Sequence, residues 1–280
     1  MGEGGDRGME NPKITIITCT LNSEKYLGEN IESVKKQTYK NIEHLFIDGE
    51  STDDTINIIK THYQNPSLIV GQDKCLFDAF NKGLNNAQGE IIGFLNSDDI
   101  LFDNQAIERI ARAFINNEID YYCSKMIIFD KEMKNYFAIL GAAPHQQTLR
   151  DQLYSSTYFA HPTYYCTKEI IKKVGEFNLK YKVAADIDWL YRLEKITNKF
   201  YFDEQPLVKF RGEGGNSATK YFLGLKEEFI IRKEHGENLL QLFVVYSYHF
   251  LRRAIRFLLE KMNLKKIINY IRKVLIILKK

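Results

Sequence analysis

The amino-acid sequence predicts an α/β fold with a mostly parallel sheet and helices on both of its faces. Over the first hundred residues, short apolar runs rich in β-branched residues alternate with segments whose apolar residues have helical spacing. The connections between them are short, and this alternation is typical of parallel strands joined by helical crossovers. Polar clusters follow three of the predicted strands, at the edge where ligands bind in open α/β sheets.

The first half of the chain supplies four strands and four helices. The strands are predicted from apolar runs at residues 14–20, 42–47, 68–70 and 90–95. The helices are predicted from apolar stripes at residues 26–37, 76–87 and 107–115, and from the capping-box pattern Ser51-Thr52-Asp53-Asp54. In the second half the pattern loosens, with strand-like pieces at residues 121–129 and 158–166.

Two helices and a loop are predicted further along. A short helix covers residues 168–174. Another follows Ala184-Ala185-Asp186-Ile187-Asp188, which places Asp186 and Asp188 near its amino end. Residues 210–217 contain Gly212, Gly214 and Gly215 and are predicted to form a mobile loop.

Composition excludes several classes of protein. With 280 residues, of which 44% are hydrophobic and 27% charged, the chain resembles an ordinary soluble globular protein. Four widely spaced cysteines form no CxxC pair, so neither a zinc site nor a disulfide framework is predicted. The first eleven residues lack the apolar core of a signal peptide and are interpreted as a disordered or vector-derived leader. No run reaches the roughly 18 apolar residues that a membrane-spanning helix needs.

Asp98 and Asp99 are adjacent carboxylates at the end of the fourth predicted strand. Burying either one unpaired would cost several kcal/mol. A divalent cation that carries a phosphorylated ligand would remove that cost, because Mg²⁺ and Mn²⁺ prefer carboxylate and phosphate oxygens. The alternative is an acidic pair that opens a turn or caps a helix. Two other strands end in the polar clusters Thr18-Cys19-Thr20-Leu21-Asn22 and Asp48-Gly49-Glu50-Ser51. Convergence of the three clusters on one edge favours a ligand site.

A metal site at strand ends, combined with a later aspartate at a helix start, suggests displacement at a phosphorylated carbon. The metal would stabilise charge on a departing diphosphate. Asp186 would accept the proton of an incoming hydroxyl. Asp186 could equally cap its helix, and the two roles are compatible.

Five motifs occur in the order seen in family-two glycosyltransferases, which the chain resembles over roughly residues 12–217. The motifs are Ile16-Ile17-Thr18-Cys19-Thr20-Leu21-Asn22, Ser33-Val34-Lys35-Lys36-Gln37-Thr38-Tyr39, Ile47-Asp48-Gly49-Glu50-Ser51-Thr52-Asp53, Asp78-Ala79-Phe80-Asn81-Lys82-Gly83 and Gly93-Phe94-Leu95-Asn96-Ser97-Asp98-Asp99. The chain looks like the bacterial members that build surface polysaccharides. The resemblance implies an A-type glycosyltransferase fold and inverting transfer from a nucleotide-diphospho-sugar, with a UDP-sugar as the default donor. The implied acceptor is a glycan or a polyprenol-linked glycan.

The resemblance also implies roles for individual residues. Asp98 and Asp99 match the metal and diphosphate motif, with Asp99 the stronger candidate for the direct ligand of Mg²⁺ or Mn²⁺. Asp186 matches the catalytic base. The remaining donor-side residues are Thr18, Leu21, Asn22, Asp48, Ser51 and Lys74. Asp188 is expected to support the site or the acceptor pocket, and Trp189 to lie on the acceptor side. Apart from the resemblance, His161 is expected to lie on the acceptor side or to shape the site, although a lone histidine is more often a structural residue.

Three positions depart from the family's pattern. Gly49 stands where many relatives have a second Asp that contacts the base, so the identity of the nucleotide stays open. Asp73-Lys74-Cys75 stands where related chains often have Asp-Lys-Gly, and donor contacts there are expected to differ. Ala185 replaces a frequent acid, and losing that like charge should favour the ionised form of Asp186.

The end of the chain carries a second signal. Residues 251–280 hold ten Lys or Arg and one acid, Glu260, so this segment has a net charge of +9 and the rest of the chain −6. Apolar residues at helical spacing lie between the basic ones, at Leu264, Ile267, Ile268, Ile271, Leu275 and Leu278. The pattern predicts an amphipathic helix on an anionic membrane surface, hence a cytoplasmic protein on the inner face of the plasma membrane. Packing on the body or on a second subunit is the alternative, and nucleic-acid binding is disfavoured because stacking aromatics are scarce.

The predicted organisation is a leader (1–11), a catalytic domain (12–217) and a basic helical extension (218–280). Within the catalytic domain, residues 12–103 form the nucleotide-binding half and 104–217 the acceptor half. Two other functions compete with a metal-dependent glycosyltransferase. A sugar-phosphate nucleotidyltransferase is disfavoured because no glycine-rich basic loop follows the first strand. A non-catalytic, membrane-bound assembly partner is disfavoured because Asp98, Asp99 and Asp186 are all present.

Overall fold

The computed structural model describes residues 9–141, 161–212 and 221–261. Its first half is a parallel sheet in the order β3-β2-β1-β4. These strands are β1 (Ile14–Thr20), β2 (Ile42–Asp48), β3 (Ser67–Val70) and β4 (Ile91–Phe94), followed by the short β5 (Ile100–Leu101). The helices are α1 (Glu24–Lys35), α2 (Thr55–His62), α3 (Leu76–Asn86) and α4 (Ala106–Asn116). The four strands and four helices predicted in this half are confirmed.

The second half makes the sheet mixed. Its elements are β6 (Tyr121–Phe129), β7 (Tyr136–Leu140), a 3₁₀ turn (His161–Thr163), β8 (Tyr165–Thr167), α5 (Lys168–Val174), α6 (Ala185–Ile196) and β9 (Phe200–Arg211). Strand β8 pairs antiparallel with both β4 and β6, whereas β9 runs parallel to β6. One continuous sheet therefore carries both halves of the protein.

Two predictions in this half need correction. Phe210 and Arg211 were expected in a mobile loop, but they end β9, a strand that the sequence did not reveal; residues 213–217 of that predicted loop lie outside the described residues. Strand β9 contains Pro206, and its pairing with β6 shifts register around Lys125, so its alternation is irregular. The strand expected at 158–166 is the shorter β8, because a 3₁₀ turn precedes it; residues 158–160 lie outside the described residues.

The sheet is covered on both faces, as the sequence predicted. One apolar cluster joins the sheet to α3, α5 and α6, and a second joins it to α1 and α4. Neighbouring residues of β1 divide between them: Ile16 belongs to the second cluster and Ile17 to the first, because successive strand side chains point to opposite faces. Close packing of β8 on β4 depends on Gly93, since a Cβ there would lie 2.5 Å from the ring of Tyr165.

Two helices follow β9. Helix α7 (Tyr221–Glu234) packs on α6, and its Ile231 is fully buried in the same apolar cluster as Leu193. Helix α8 (Leu239–Lys261) packs on α7 through Leu242 and Val245. The core is thus continuous across the boundary predicted at residue 217. No helix in the described part of the chain is both long and apolar enough to span a membrane. The predicted leader (apart from residues 9–11) and the predicted amphipathic helix at 264–278 lie outside the described residues.

Candidate active site

The carboxyl ends of β1, β2 and β4 meet at one edge of the sheet, and the three polar clusters predicted there are joined by hydrogen bonds. The hydroxyl of Thr20 donates to Asp48 Oδ2 at 2.6 Å, which links β1 to β2. Ser23 and Ser97 lie 3.0 Å apart, oxygen to oxygen, and link the start of α1 to the end of β4. The amide of Asn30 in α1 donates to the backbone oxygens of Asn96 (2.8 Å) and Asp99 (2.9 Å).

The two adjacent carboxylates at this edge differ in exposure. Asp99 is fully buried: its Oδ1 accepts the backbone N–H of Arg211 at 2.8 Å, and its Oδ2 accepts the side-chain amide of Asn96 at 2.8 Å. Asp98 is partly exposed, and its carboxylate accepts no hydrogen bond from another residue in the part of the chain that the structure describes. The sequence favoured Asp99 as the direct metal ligand, whereas these contacts favour Asp98.

Arg211, which the sequence analysis did not single out, holds this acidic pair through contacts with both of its residues. Its Nε donates to the backbone oxygen of Asp98 at 3.0 Å, and its Nη2 donates to Glu29 at 3.0 Å. The guanidinium also lies 3.9 Å from the ring centre of Tyr26, within the range of a cation–π contact. The Arg211 side chain is almost completely buried. The glycines that follow it made this segment resemble a loop, so no local signal marked Arg211.

The electrostatics of the acidic pair suit a cation. Burial, followed by the charge of Asp98, raises the pKa of Asp99 to about 8. Burial also raises the pKa of Asp98, while the positive charge of Arg211 opposes the shift in both residues. Among the described residues, no group of three or more His, Cys, Asp or Glu side chains could hold a metal. Mg²⁺ that carries phosphates is usually bound by one or two carboxylates and by oxygens of its ligand, and Asp98 and Asp99 offer such a pair.

Two of the predicted donor-side residues are buried. The contacts of Thr18 do not favour it as a direct nucleotide contact, because its hydroxyl donates to the backbone oxygen of Leu95 at 2.9 Å and lies 3.0 Å from His44 Nε2, within the core. It lies two residues before the end of β1, below the ligand-facing edge. The carboxylate of Asp48 is also fully buried, and it accepts hydrogen bonds from Thr20, from the Ser51 hydroxyl (2.7 Å) and from the Ser51 N–H (2.8 Å). Asp48 therefore shapes the loop after β2.

The remaining donor-side residues lie on the surface of this edge. Leu21 is exposed, and Asn22 has a left-handed backbone (φ 50°) in which its Oδ1 accepts the N–H of Thr52 at 2.9 Å. The N–H of Asn22 donates to the hydroxyl of Ser51 at 2.9 Å. Lys74 is exposed, and its N–H donates to Asp78 at 3.0 Å. These residues form the rim that a donor would approach.

Gly49, the departure noted in the sequence, makes room for another acid. A Cβ at this position would lie 3.2 Å from Oδ2 of Asp73, tighter than most real contacts. Asp73 in turn forms a 2.6 Å ion pair with Lys82 of α3. The carboxylate of Asp73 thus lies beside the position where relatives have their second Asp.

Asp186 and His161 connect the later helix to the metal motif. Asp186 lies in the first turn of α6, where its Oδ2 is 3.0 Å from His161 Nδ1 and its Oδ1 accepts the N–H of Ile187 at 3.0 Å. The other ring nitrogen of His161 lies 3.1 Å from Oδ1 of Asn96. The predicted base and the predicted metal motif are therefore joined through a single side chain.

Asp188 and Trp189, both predicted on the acceptor side, have the contacts of structural residues. The buried carboxylate of Asp188 pairs with Arg192 at 3.0 Å and with His235 of the α7–α8 connection at 3.1 Å. The ring of Trp189 stacks on Phe177, and its Nε1 donates to the backbone oxygen of Gly175 at 2.7 Å. Their partners hold α6 in place, which agrees with a supporting role for Asp188 and does not favour an acceptor role for either residue.

Glu227 of α7 is a second residue that the sequence did not indicate. Its buried carboxylate accepts the backbone N–H groups of Lys182, Val183 and Ala184 at 2.9 to 3.1 Å. These groups belong to the turn that leads directly into α6, so Glu227 fixes the start of the helix that carries Asp186. Its contact partners are more than 40 residues away along the chain, and no local pattern predicts such a contact.

Comparison with known proteins places the chain in a family. The family model described as Glycosyl transferase family 2 matches residues 15–175. The chain is 28% identical over 225 residues to an uncharacterized glycosyltransferase of Rickettsia typhi, and the matched region covers 78% of this chain and 69% of that relative. It is 30% identical over 188 residues to a PGL/p-HBAD biosynthesis glycosyltransferase of Mycobacterium bovis, and the matched region covers 66% of this chain and 70% of that relative.

Solved structures share the fold. S. aureus TarS 1-349 in complex with UDP-GlcNAc has a TM-score of 0.62 at 19% identity, over 88% of this chain and 73% of TarS 1-349. A mannosyltransferase from Pyrobaculum calidifontis in complex with GDP-Man and Mn²⁺ has a TM-score of 0.62 at 13% identity, over 86% of this chain and 70% of its own. These likenesses confirm the predicted A-type fold. The chain therefore belongs to glycosyltransferase family 2 and is a glycosyltransferase.

Proposed function

We propose that this enzyme uses a divalent metal to move a sugar, with inversion, from a UDP-sugar to a glycan or polyprenol-linked acceptor in surface-polysaccharide synthesis. One observation carries the proposal: a partly exposed carboxylate, Asp98, lies on the sheet edge that His161 connects to Asp186. This arrangement offers a cation ligand for a diphosphate and a proton acceptor for a hydroxyl on the same surface.

Each residue has a separate part in the proposed reaction. Asp98, backed by Asp99, would hold Mg²⁺ or Mn²⁺, which when bound neutralises charge on the diphosphate. Asp186 takes the proton of the acceptor hydroxyl. The hydroxyl oxygen bonds to the anomeric carbon while the bond from that carbon to the diphosphate oxygen breaks. Attack from the face opposite the departing diphosphate inverts the configuration. Arg211 holds the acidic pair in place through the Asp98 carbonyl and the Asp99 carboxylate.

The choice of donor rests on weaker support. TarS binds UDP-GlcNAc and the mannosyltransferase binds GDP-Man, so proteins of this fold accept different nucleotides. Asp73 lies next to Gly49 and supplies a carboxylate near the position where relatives have one. A carboxylate here can accept the N–H of uracil, as a uridine donor requires, and it can equally accept the N–H groups of guanine. The uridine donor is therefore proposed from the family resemblance, and the binding panel includes GDP-mannose to test it.

Binding to a panel of nucleotide sugars tests the proposed function. UDP-GlcNAc, UDP-glucose, UDP-galactose and GDP-mannose are each added with Mn²⁺, Mg²⁺ or EDTA, and Tm is measured. A ligand at about 100 times its Kd stabilises the folded state by about 2.7 kcal/mol, so a UDP-sugar should raise Tm by several degrees only when metal is present.

Asp98→Asn should remove the metal-dependent part of that rise, because it removes the carboxylate charge at nearly constant shape. Glu169→Gln is the matched control, since Glu169 is an exposed acid in the first turn of α5, and it should behave as wild type. An equal rise in EDTA would contradict the proposal. So would release of pyrophosphate from UTP and a sugar phosphate, which is the signature of a nucleotidyltransferase.

We also propose that the C-terminal helices bind an anionic membrane surface. In α8, one face packs on α7, and another exposes apolar side chains such as Leu240 (74% exposed) and Phe243 (66% exposed). No charged residue occurs between Leu239 and Leu251, and the basic run begins at Arg252. An exposed apolar face next to positive charge suits the boundary between lipid headgroups and acyl chains.

Sedimentation with lipid vesicles tests this surface. The full chain should bind vesicles that contain phosphatidylglycerol several-fold more strongly than vesicles of phosphatidylcholine alone, and salt should weaken the binding. The double variant Leu240→Ser, Phe243→Ser should lose most of it, whereas Ile115→Ser, which removes an exposed apolar side chain from α4, should not. Equal binding to neutral vesicles would contradict the proposal. So would a dimer that the double variant converts to monomer without any loss of vesicle binding.

A further inference from the structure

His161 makes a contact on each side of its ring. Nδ1 lies 3.0 Å from Asp186 Oδ2, and Nε2 lies 3.1 Å from Asn96 Oδ1. The amide nitrogen of Asn96 donates to Asp99 at 2.8 Å, which directs its oxygen toward the histidine. Because Asp186 Oδ2 and Asn96 Oδ1 are both acceptors, the two contacts are hydrogen bonds together only when both ring nitrogens of His161 donate. The series of contacts then runs from Asp99, next to the proposed cation ligand, to Asp186 on α6.

The position of His161 is fixed by rigid surroundings. It begins the 3₁₀ turn His161–Thr163, in which Pro162 and Thr163 are buried. The ring of Phe80 in α3 packs against the imidazole with their centres 5.5 Å apart. On the other side, Asn96 is held through its backbone oxygen by the buried Asn30 of α1. The ring is therefore held in a defined position, from which Nδ1 can orient the carboxylate of Asp186.

Asp186 depends on His161 for its orientation. One oxygen accepts the N–H of Ile187 within its own helix, and the other faces His161. Without the histidine, the second oxygen would have no hydrogen bond from the described residues, and the carboxylate could rotate. Misplacing a reacting group by about 1 Å can cost about 100-fold in rate.

We propose that His161 is a positioning residue that orients Asp186 for proton acceptance and sets its place relative to the metal motif through Asn96. This inference rests on the proposed function, because it assumes that Asp186 is the base. It assigns His161 a role in the reaction that differs from acceptor binding. The acceptor hydroxyl's proton still goes to Asp186, and His161 does not need to touch the acceptor.

Two substitutions separate the two contacts of the ring. The amide nitrogen of asparagine lies as many bonds from Cβ as Nδ1 of histidine does, so His161→Asn retains a donor toward Asp186. The amide nitrogen of glutamine corresponds in the same way to Nε2, so His161→Gln retains a donor toward Asn96 and loses the one toward Asp186. His161→Ala removes both contacts.

The kinetic test measures UDP release from UDP-GlcNAc, UDP-glucose and UDP-galactose with Mn²⁺, using the full chain. His161→Ala and His161→Gln should lower kcat by about 100-fold with the KM for the donor little changed, and His161→Asn should recover most of the loss. His62→Gln, a substitution of a partly buried histidine that ends α2 beside Glu32, serves as control and should leave both constants unchanged. Recovery by Gln instead of Asn, or wild-type kcat in His161→Ala, would overturn the proposal.

A second measurement does not require a sugar donor. In protein labelled with ¹⁵N-histidine, one of six histidines should show an Nδ1 resonance that disappears in His161→Gln and shifts in Asp186→Ala. If no histidine resonance responds to Asp186→Ala, the contact does not exist in solution and the proposal fails. If that resonance responds but wild-type enzyme releases no UDP from any donor, the proposed function fails while the contact stands.

Discussion

Asp186→Asn is expected to lower kcat by about 10²- to 10⁴-fold, the usual contribution of a general base. Asparagine has nearly the same shape as aspartate, and its Oδ1 can still accept a hydrogen bond from His161. It cannot accept a proton at neutral pH, so the substitution separates proton acceptance from positioning. The measurement is kcat for UDP release, combined with calorimetric titration of UDP and Mn²⁺.

The affinity for UDP should stay within about twofold of the wild-type value, because the contacts of Asp98 and of the donor-side rim are unaffected. Glu169→Gln is again the control, because Glu169 is an exposed acid in the first turn of α5. If Asp186→Asn weakens UDP binding and kcat together, the residue supports the fold of the site instead of the chemistry. If kcat is unchanged, Asp186 is not the base.

Arg211→Met is expected to lower the free energy of unfolding by about 3 kcal/mol. Methionine fills much of the same volume but donates no hydrogen bond, so the backbone oxygens of Asp98 and Lys131 lose a buried partner. The charge of Arg211 lowers the pKa of both carboxyls of the acidic pair, so its removal should raise both pKa values further. Glu29, its other partner, is more than half exposed, and water would replace that part of the loss.

Urea denaturation of metal-free protein measures this effect. The matched control is Arg112→Met, because Arg112 pairs with Glu108 on the exposed surface of α4 and such pairs contribute at most about 1 kcal/mol. Equal, small losses in the two variants would mean that the buried guanidinium does not stabilise the metal motif. A loss confined to Arg211→Met would support its structural role beneath Asp98 and Asp99.

The first half of the fold could be predicted because its signals are local. Strands such as β1 are uninterrupted β-branched runs, and α3 has a regular apolar stripe, so each element is marked by its own residues. Strand β9 was missed because Pro206 and the irregular register beside β6 disturb its alternation. Arg211 was missed with it, since the glycines after the strand suggested a loop.

The candidate site was predictable only in part. The convergence of Asp48, Asp98 and Asp99 follows from parallel strands that end at a common edge. The strand pattern does not predict which of the two carboxylates faces outward, because Asp99 accepts the N–H of Arg211 in β9, 112 residues away. His161 was assigned a weak role for a similar reason: its contacts with Asn96 and Asp186 span 65 and 25 residues, and no spacing in the sequence reports them.

The hydrogen bonds of Glu227 join α7 to the turn before α6, so the structural unit extends beyond the family match, which ends at residue 175. Helix α7 anchors the turn before Asp186. Helix α8 packs on α7 and has an exposed apolar face. A hybrid enzyme that exchanged the acceptor half alone would leave the turn at Lys182–Ala184 without its carboxylate. Anyone grafting a new sugar specificity onto this scaffold should therefore transplant both helices as a single module.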